Sequence, residues 1–144
     1  MHKKIFLSFH YKADKDRVAK IRDQIGHDYK MNPFFDRSKW DALKRHGDHA
    51  IKDYINKELK DTDITVVLLG EETGQKKWVN YEIEQSKELR KPIIGIDISK
   101  IEDKNGYFTE MGPNPLPSGI PLYSWTNDDG EKHLEEWIEK AARS

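Results

Sequence analysis

Apolar residues in this chain fall into two kinds of pattern. Two short β-branched runs, Ile64 to Leu69 and Pro92 to Ile98, are too brief for helices and read as buried strands. A third run, Ile5 to Phe9, opens the chain. Between them lie stretches of helical period: Val18, Ile21 and Ile25 closing at Gly26, then Ile51, Tyr54, Ile55 and Leu59, then Val79 and Ile83 within the segment from Lys77 to Arg90. A weaker strand, Pro33 to Asp36, falls between the first two helices, and Ile120 to Tyr123 precedes a last amphipathic helix carrying Leu134, Trp137, Ile138 and Ala141.

Such alternation requires right-handed crossovers, because each helix must return the chain to the starting edge of the sheet. The pattern therefore predicts an α/β fold of flavodoxin-like, doubly wound type, with a five-stranded, mostly parallel sheet flanked by helices. With 144 residues the chain suffices for one such unit and not for two, so residues 1–144 read as a single domain. The one irregular stretch, Ser99 to Gly119, is rich in Gly, Pro and Asn and exceeds the usual connection length. It reads equally as a lid or as a decorated surface loop.

Charge adds exclusions. Lys and Arg total 25 against 26 Asp and Glu, interspersed rather than gathered into a stripe, so nothing recruits nucleic acid or an anionic membrane. The charged segments Lys12 to Arg22 and Glu82 to Lys91 read as solvated helix faces with i, i+4 pairs. Cysteine is absent, which rules out disulfides and thiolate metal sites and suits a reducing compartment, with the cytoplasm as the expected location. Met1 to Phe9 is too short for a signal-peptide core, and no later run approaches membrane-spanning length. His46 and His49 lack a further ligand nearby in sequence, and Gly47-Asp48 between them reads as a helix N-terminus with a capping acid, so no metal is expected. Trp125 and Trp137 read as packing for the last helix.

In open parallel sheets ligands bind beyond the carboxyl ends of the strands. The residues there are Ser8, Phe9, His10 and Tyr11 after the first strand, Asp36, Arg37, Ser38 and Trp40 after the second, and Gly70, Glu71, Glu72 and Thr73 after the third. From the same rim starts a helix whose first turns carry Trp78 and Glu82, spaced i, i+4 and so stacked on one face. No G-x-G-x-x-G, Walker-type loop or glycine-bearing phosphate loop follows the first strand, which excludes Rossmann, P-loop and flavodoxin-type nucleotide binding. A phospho-receiver would need paired acids at the end of the first strand, where this chain has Phe-Leu-Ser-Phe-His. His10 reads either as a base at the crevice or as a neutral histidine ending a strand.

These residues carry a resemblance. Lys4-Ile5-Phe6-Leu7-Ser8-Phe9-His10-Tyr11 resembles the opening strand of TIR domains, and Trp78-Val79-Asn80-Tyr81-Glu82 has the W-x-x-x-E form found in NAD-consuming members. Phe35-Asp36-x-Ser38-x-Trp40, and Leu69-Gly70-x-x-Thr73 ahead of Lys77-Trp78-Val79, are similar more narrowly to bacterial TIR-like proteins of Thoeris anti-phage systems, over nearly the whole chain. The short loop Arg37-Ser38-Lys39-Trp40-Asp41 departs from the apolar, proline-bearing receptor loop of animal TIR adaptors, which is therefore not carried over.

The resemblance implies an NAD⁺ glycohydrolase or cyclase that uses NAD⁺ as substrate, needs no other cofactor and makes a cyclic ADP-ribose-type signal for a separate effector. It also implies self-association through TIR–TIR contacts. Glu82 would carry the chemistry. Because nicotinamide leaves as a neutral molecule, no general acid is needed, and one carboxylate can stabilise the oxocarbenium-like ribose. Phe9, Tyr11 and Trp40 would stack on nicotinamide or adenine, Ser8, His10 and Asp36 would offer hydrogen bonds, and Gly70, Thr73 and Trp78 would complete the rim. The main alternative is a non-catalytic TIR interaction module; a third reading is a nucleoside deoxyribosyltransferase-like enzyme with a glutamate nucleophile.

Overall fold

The computed structural model describes residues 3–25, 30–31 and 37–143; the side chains of residues 25–40 lie outside the description. The elements follow in the order β1 (Lys4–Ser8), α1 (Tyr11–Ile25), β2 (Lys30–Met31), α2 (Arg37–Arg45), α3 (Asp48–Lys60), β3 (Ile64–Leu69), α4 (Lys77–Glu88), β4 (Ile93–Asp97), β5 (Leu122–Ser124) and α5 (Gly130–Ala142). A 3-10 turn, Thr73–Gln75, leads into α4. All sheet pairs are parallel and the strand order is β2-β1-β3-β4-β5, as expected for a flavodoxin-like sheet.

Four strands of three to six residues form the body of this sheet, and β2 adds only a two-residue edge. The five-strand expectation thus holds only with that short edge included. The expected strand Pro33 to Asp36 lies outside the described residues.

Side chains alternate across the sheet with period two, and both faces are buried. Ile5, Leu7, Ile64, Val66 and Leu68 turn toward α1 and α5, where they meet Val18, Ile21, Leu134, Trp137 and Ile138. Phe6 turns the other way, onto Ile51, Ile55 and Leu59 of α3, while Val67 and Leu69 meet Val79 and Ile83 of α4. Trp137 stacks flat on Tyr123 at 4.2 Å, and Trp125 packs against the same cluster, so both tryptophans serve the core.

Two local expectations are corrected. Arg37 to Asp41 is not a loop: Arg37–Arg45 is helical, favoured by Ala42, Leu43 and the long charged side chains, with Lys44 and Arg45 in the last turn, where the helix dipole favours cations. Asp48 is not a cap. Gly47, at φ 89°, occupies that position without a side-chain bond, and Asp48 is the first helical residue, ion-paired with Lys77. His49 pairs with Asp53 on the exposed face of α3.

The long connection 98–121 crosses from β4 to β5 without a helix, and it is strapped down rather than poised as a lid. Its Met111, Leu116 and Ile120 cover the Val67–Ile83 cluster in place of a helix. The buried Arg17 of α1 donates to the carbonyls of Ile101 (2.7 Å) and Tyr107 (3.1 Å) while pairing with buried Asp14 at 3.3 Å. Backbones also approach closely: a methyl group on Gly112 would sit 2.0 Å from the Glu71 carbonyl oxygen, and one on Gly74 would sit 2.1 Å from that of Pro113. Only glycine fits where two main chains touch.

Arg17→Met is therefore expected to lower unfolding stability by about 3–5 kcal/mol in urea titration, because buried Asp14 then stays charged without its ionic partner or must take up a proton. Gly112→Ala is expected to cost about 1–3 kcal/mol by forcing the strap off the Glu71 backbone. Stability unchanged in both would mean that the strap is not held as described.

Candidate active site

Strand β1 ends at Ser8, which shares the face of Phe6 and looks toward α4. Ser8 is fully buried, and its hydroxyl donates to Glu82 Oε1 at 2.6 Å. Glu82 stands in the second turn of α4, whose rotation is fixed one turn later. There Ser86 Oγ meets Thr65 Oγ1 of β3 at 2.8 Å and also bonds the Glu82 carbonyl at 2.7 Å. The strand end and the helix rotation together aim the carboxyl at the junction of β1 and β3, where the sheet's winding reverses and a crevice opens.

A cavity of about 570 Å³ occupies that junction. Phe9, His10 and Tyr11 wall it on the β1 side, and Trp78, Val79 and Glu82 on the α4 side. Trp78 and Glu82 thus share one wall, as their i, i+4 spacing implies, and Trp78 is braced by an edge-on contact with Tyr81 at 5.7 Å.

Glu82 is half-buried, but its carboxyl is enclosed by protein, and this loss of hydration pushes its pKa up to about 8. The Ser8 hydrogen bond pulls in the opposite direction and is the weaker influence. His10 is held below its ordinary value, first by burial and then by the charge of Lys76, against a raising influence from Glu72, 3.7 Å away. It is thus a neutral imidazole at pH 7, suited to a hydrogen bond rather than a charge. Tyr54 of α3 is pushed up by burial and then by the charges of Glu58 and Glu82.

Of the residues expected at the rim, Ser8, Phe9, His10, Tyr11, Trp78 and Glu82 do converge, Ser8 through Glu82 and the others as cavity wall. Gly70 and Thr73 do not line the cavity. They are buried behind it, where the Gly70 amide donates to Thr73 Oγ1 (2.8 Å), which faces Asp14 at 3.4 Å. Their role is to seat the Asp14–Arg17 pair, because a Cβ on Gly70 would collide with the Asp14 carboxylate. Asp36 and the Trp40 side chain lie outside the described residues; the backbone of Trp40 belongs to α2, whose Asp41 and Lys44 do border the cavity.

The pattern reading missed the cations. Lys12, Lys15, Lys44, Lys76 and Lys77 all line this cavity. A signal was present: each crevice segment is accompanied in sequence by lysines, Lys12 and Lys15 after Tyr11, Lys44 after Trp40, and Lys76-Lys77 before Trp78.

Among the described residues no His, Cys, Asp and Glu cluster could hold a metal, and no helix is long and apolar enough to cross a membrane.

Known proteins with this architecture include a CMP N-glycosidase from Clostridium botulinum. The match has a TM-score of 0.55 and 11% identity and covers 94% of this chain and 99% of that one. A prokaryotic SEFIR domain also matches at a TM-score of 0.55, with 16% identity and 99% of each chain covered. At such identities they establish the fold alone. Sequence relatives reach further. A Bacillus cereus (strain MSX-D12) protein named as a candidate cyclic ADP-D-ribose synthase, ThsB1, is 39% identical over 142 residues, covering 95% of this chain and 72% of its own length. The family model for the TIR-like domain of Thoeris protein ThsB matches residues 6–103, the span that holds the end of β1, the residues lining the cavity and Glu82. With its wall of Phe9 and Trp78 around a serine-held glutamate at the β1–β3 junction, the chain belongs to the Thoeris ThsB family of TIR-like proteins.

Proposed function

We propose that this chain cleaves the nicotinamide–ribose bond of NAD⁺ with Glu82 and closes the ADP-ribosyl fragment into a cyclic ADP-ribose-type signal of Thoeris anti-phage defence. The observation that carries the reading is Glu82 itself, an acid kept at the wall of an aromatic cavity against the cost of desolvation. A merely solvated helix face would leave that carboxyl in water. The name of the Bacillus cereus relative supports the same chemistry. A separate effector reading the nucleotide, and self-association of the TIR-like domain, belong to this proposal.

Before substrate binds, Glu82 is mostly the neutral acid at pH 7, because its pKa is about 8. The cationic nicotinamide ring favours the carboxylate, so substrate itself prepares the charged form. As the glycosidic bond breaks, the pyridinium becomes neutral nicotinamide and positive charge passes to the ribose, where the carboxylate stabilises it. Phe9 and Trp78 offer ring faces, and neutral His10 offers a hydrogen bond. Capture by an internal nucleophile rather than water requires the adenine end to be held close, which gives it a large effective molarity.

The decisive experiment follows NAD⁺ loss and product mass in wild type and Glu82→Gln, at high protein concentration and in lysates of phage-infected cells. The substitution is expected to reduce turnover by at least about 100-fold. Turnover that survives it would overturn the assignment; no NAD⁺ loss in wild type under either condition would favour a non-catalytic interaction module.

Because kcat/KM reports ionisations of the free enzyme, it is expected to rise with pH and level off above about 8. Ser8→Ala, which removes the hydrogen bond that lowers the Glu82 pKa, should move that rise to higher pH. A flat profile through neutral and mildly alkaline pH would contradict the role of Glu82.

Stability carries the same signature. The folded-state pKa of about 8 lies above the ordinary glutamate value of 4.5, so the folded chain holds an extra proton between those values. The associated stability is full below the lower value and is lost as pH rises toward the upper one. Melting temperature across that window should thus fall more steeply in wild type than in Glu82→Gln, and the variant should melt higher near pH 8. Parallel curves would mean that the carboxyl is not desolvated.

A further inference from the structure

The whole chain is balanced, with 25 basic against 26 acidic residues, yet the cavity is not. Five lysines line it against two carboxyls, Asp41 and Glu82. The lysines come from three separate places: Lys12 and Lys15 from the first turns of α1, Lys44 from the last turn of α2, and Lys76-Lys77 from the start of α4. Lys77 is ion-paired with Asp48 and lies 4.8 Å above the Trp78 ring, and Lys15 stands 5.9 Å over the Tyr11 ring, so cations and aromatic wall are in contact here. Lys12 and Lys76 line the cavity together with His10, and the charge of each disfavours its protonation. Like charges converging on one concave space repel one another, and an anion brought among them removes that cost. The long helices α1 and α4 also begin at this wall, adding the positive ends of their dipoles.

The anion must fit a concave site that is also lined by the aromatic side chains of Phe9, Tyr11 and Trp78. That combination suits a small molecule bearing both aromatic rings and phosphates, and the volume of about 570 Å³ is in the range of small-ligand sites. Lysine binds phosphate as a point charge, without the fixed two-pronged geometry that arginine uses for planar anions.

We infer that Lys12, Lys15 and Lys76 form a collar that binds the diphosphate of a dinucleotide whose reacting ribose lies beside Glu82. These are positioning residues: they touch the phosphates and not the bond that breaks. The collar also keeps hold of the ADP-ribosyl fragment once neutral nicotinamide has left, since both phosphates remain on it. The inference rests on the reading above only in taking the occupant to be a dinucleotide.

The test uses the full chain and titration calorimetry with ADP-ribose, which carries the diphosphate and lacks nicotinamide. ADP-ribose is expected to bind wild type and to bind more weakly as salt is raised. In Lys12→Gln/Lys76→Gln its affinity should fall about tenfold or more, while the KM for NAD⁺ rises and kcat changes little. Equal melting temperatures would assign the loss to the collar; if the double variant melts early, Lys15→Gln alone, at an exposed position, takes its place and should show the same direction. ADP-ribose binding wild type and variant equally, or not binding wild type at all, overturns the inference. The two readings separate cleanly. Lysine-dependent binding of ADP-ribose without NAD⁺ turnover keeps the collar and removes the cleavage, whereas turnover with a KM indifferent to the lysines and to salt removes the collar and keeps the cleavage.

Discussion

A carboxyl withdrawn from water needs a partner, and for Glu82 that partner is the hydroxyl at the very end of β1. Much else in the molecule serves that meeting. Ser8 reaches Glu82 because β1 alternates, placing Ser8 on the Phe6 side, while α4 is held in rotation by Ser86 on Thr65. The contact spans 74 residues of sequence, so it exists only once β1, β3 and α4 are assembled. Protection of Glu82 from water is therefore a property of the folded sheet and not of the helix that carries it.

Around that point the two faces of the sheet do different work. The α1–α5 face is a large, continuous apolar cluster that fixes the strands. The opposite face is divided between the Phe6 cluster under α3 and the Val67 cluster under α4, and the latter is completed by the strap 98–121. The buried Asp14–Arg17 pair joins the two systems, since it belongs to α1, touches Thr73 ahead of α4 and grips the strap. A buried ion pair adds little net stability, but leaving either member alone is costly, so the pair enforces the arrangement more than it strengthens it.

Much of this was legible in the chain itself. β-Branched runs and helical periods located most strands and helices, since both signals reflect burial, the same quantity that builds the core. The i, i+4 spacing of Trp78 and Glu82 placed them on one wall. Three things were not legible, for separable reasons. Arg37–Arg45 is helical but short and strongly charged, with Leu43 meeting the core, so it lacks a period long enough to notice. Gly70 and Thr73 follow β3 as rim residues do, but a close approach to Asp14 in a distant helix turned them inward. Lys12 and Lys15 were read as part of a solvated face, and Lys44, Lys76 and Lys77 drew no reading, because sequence reports each charge with its neighbours along the chain, whereas the cavity gathers charges from three elements.

The strap is fastened along most of its length and loose only at one turn tip. Around Gly112 to Leu116 it lies in backbone contact with the segment ahead of α4, and its apolar side chains complete a core cluster. Around Lys104 to Gly106 it is an exposed turn closed locally, with Asp103 accepting from the amides of Asn105 and Tyr107 and open space beyond Gly106. Strap residues do not appear in the wall of the cavity. Length and composition can thus drift at the Asp103–Gly106 turn without passing a displacement to Glu82, while a one-residue change near Gly112 would move the backbone on which α4 is seated. The first place can absorb an insertion, and the second cannot.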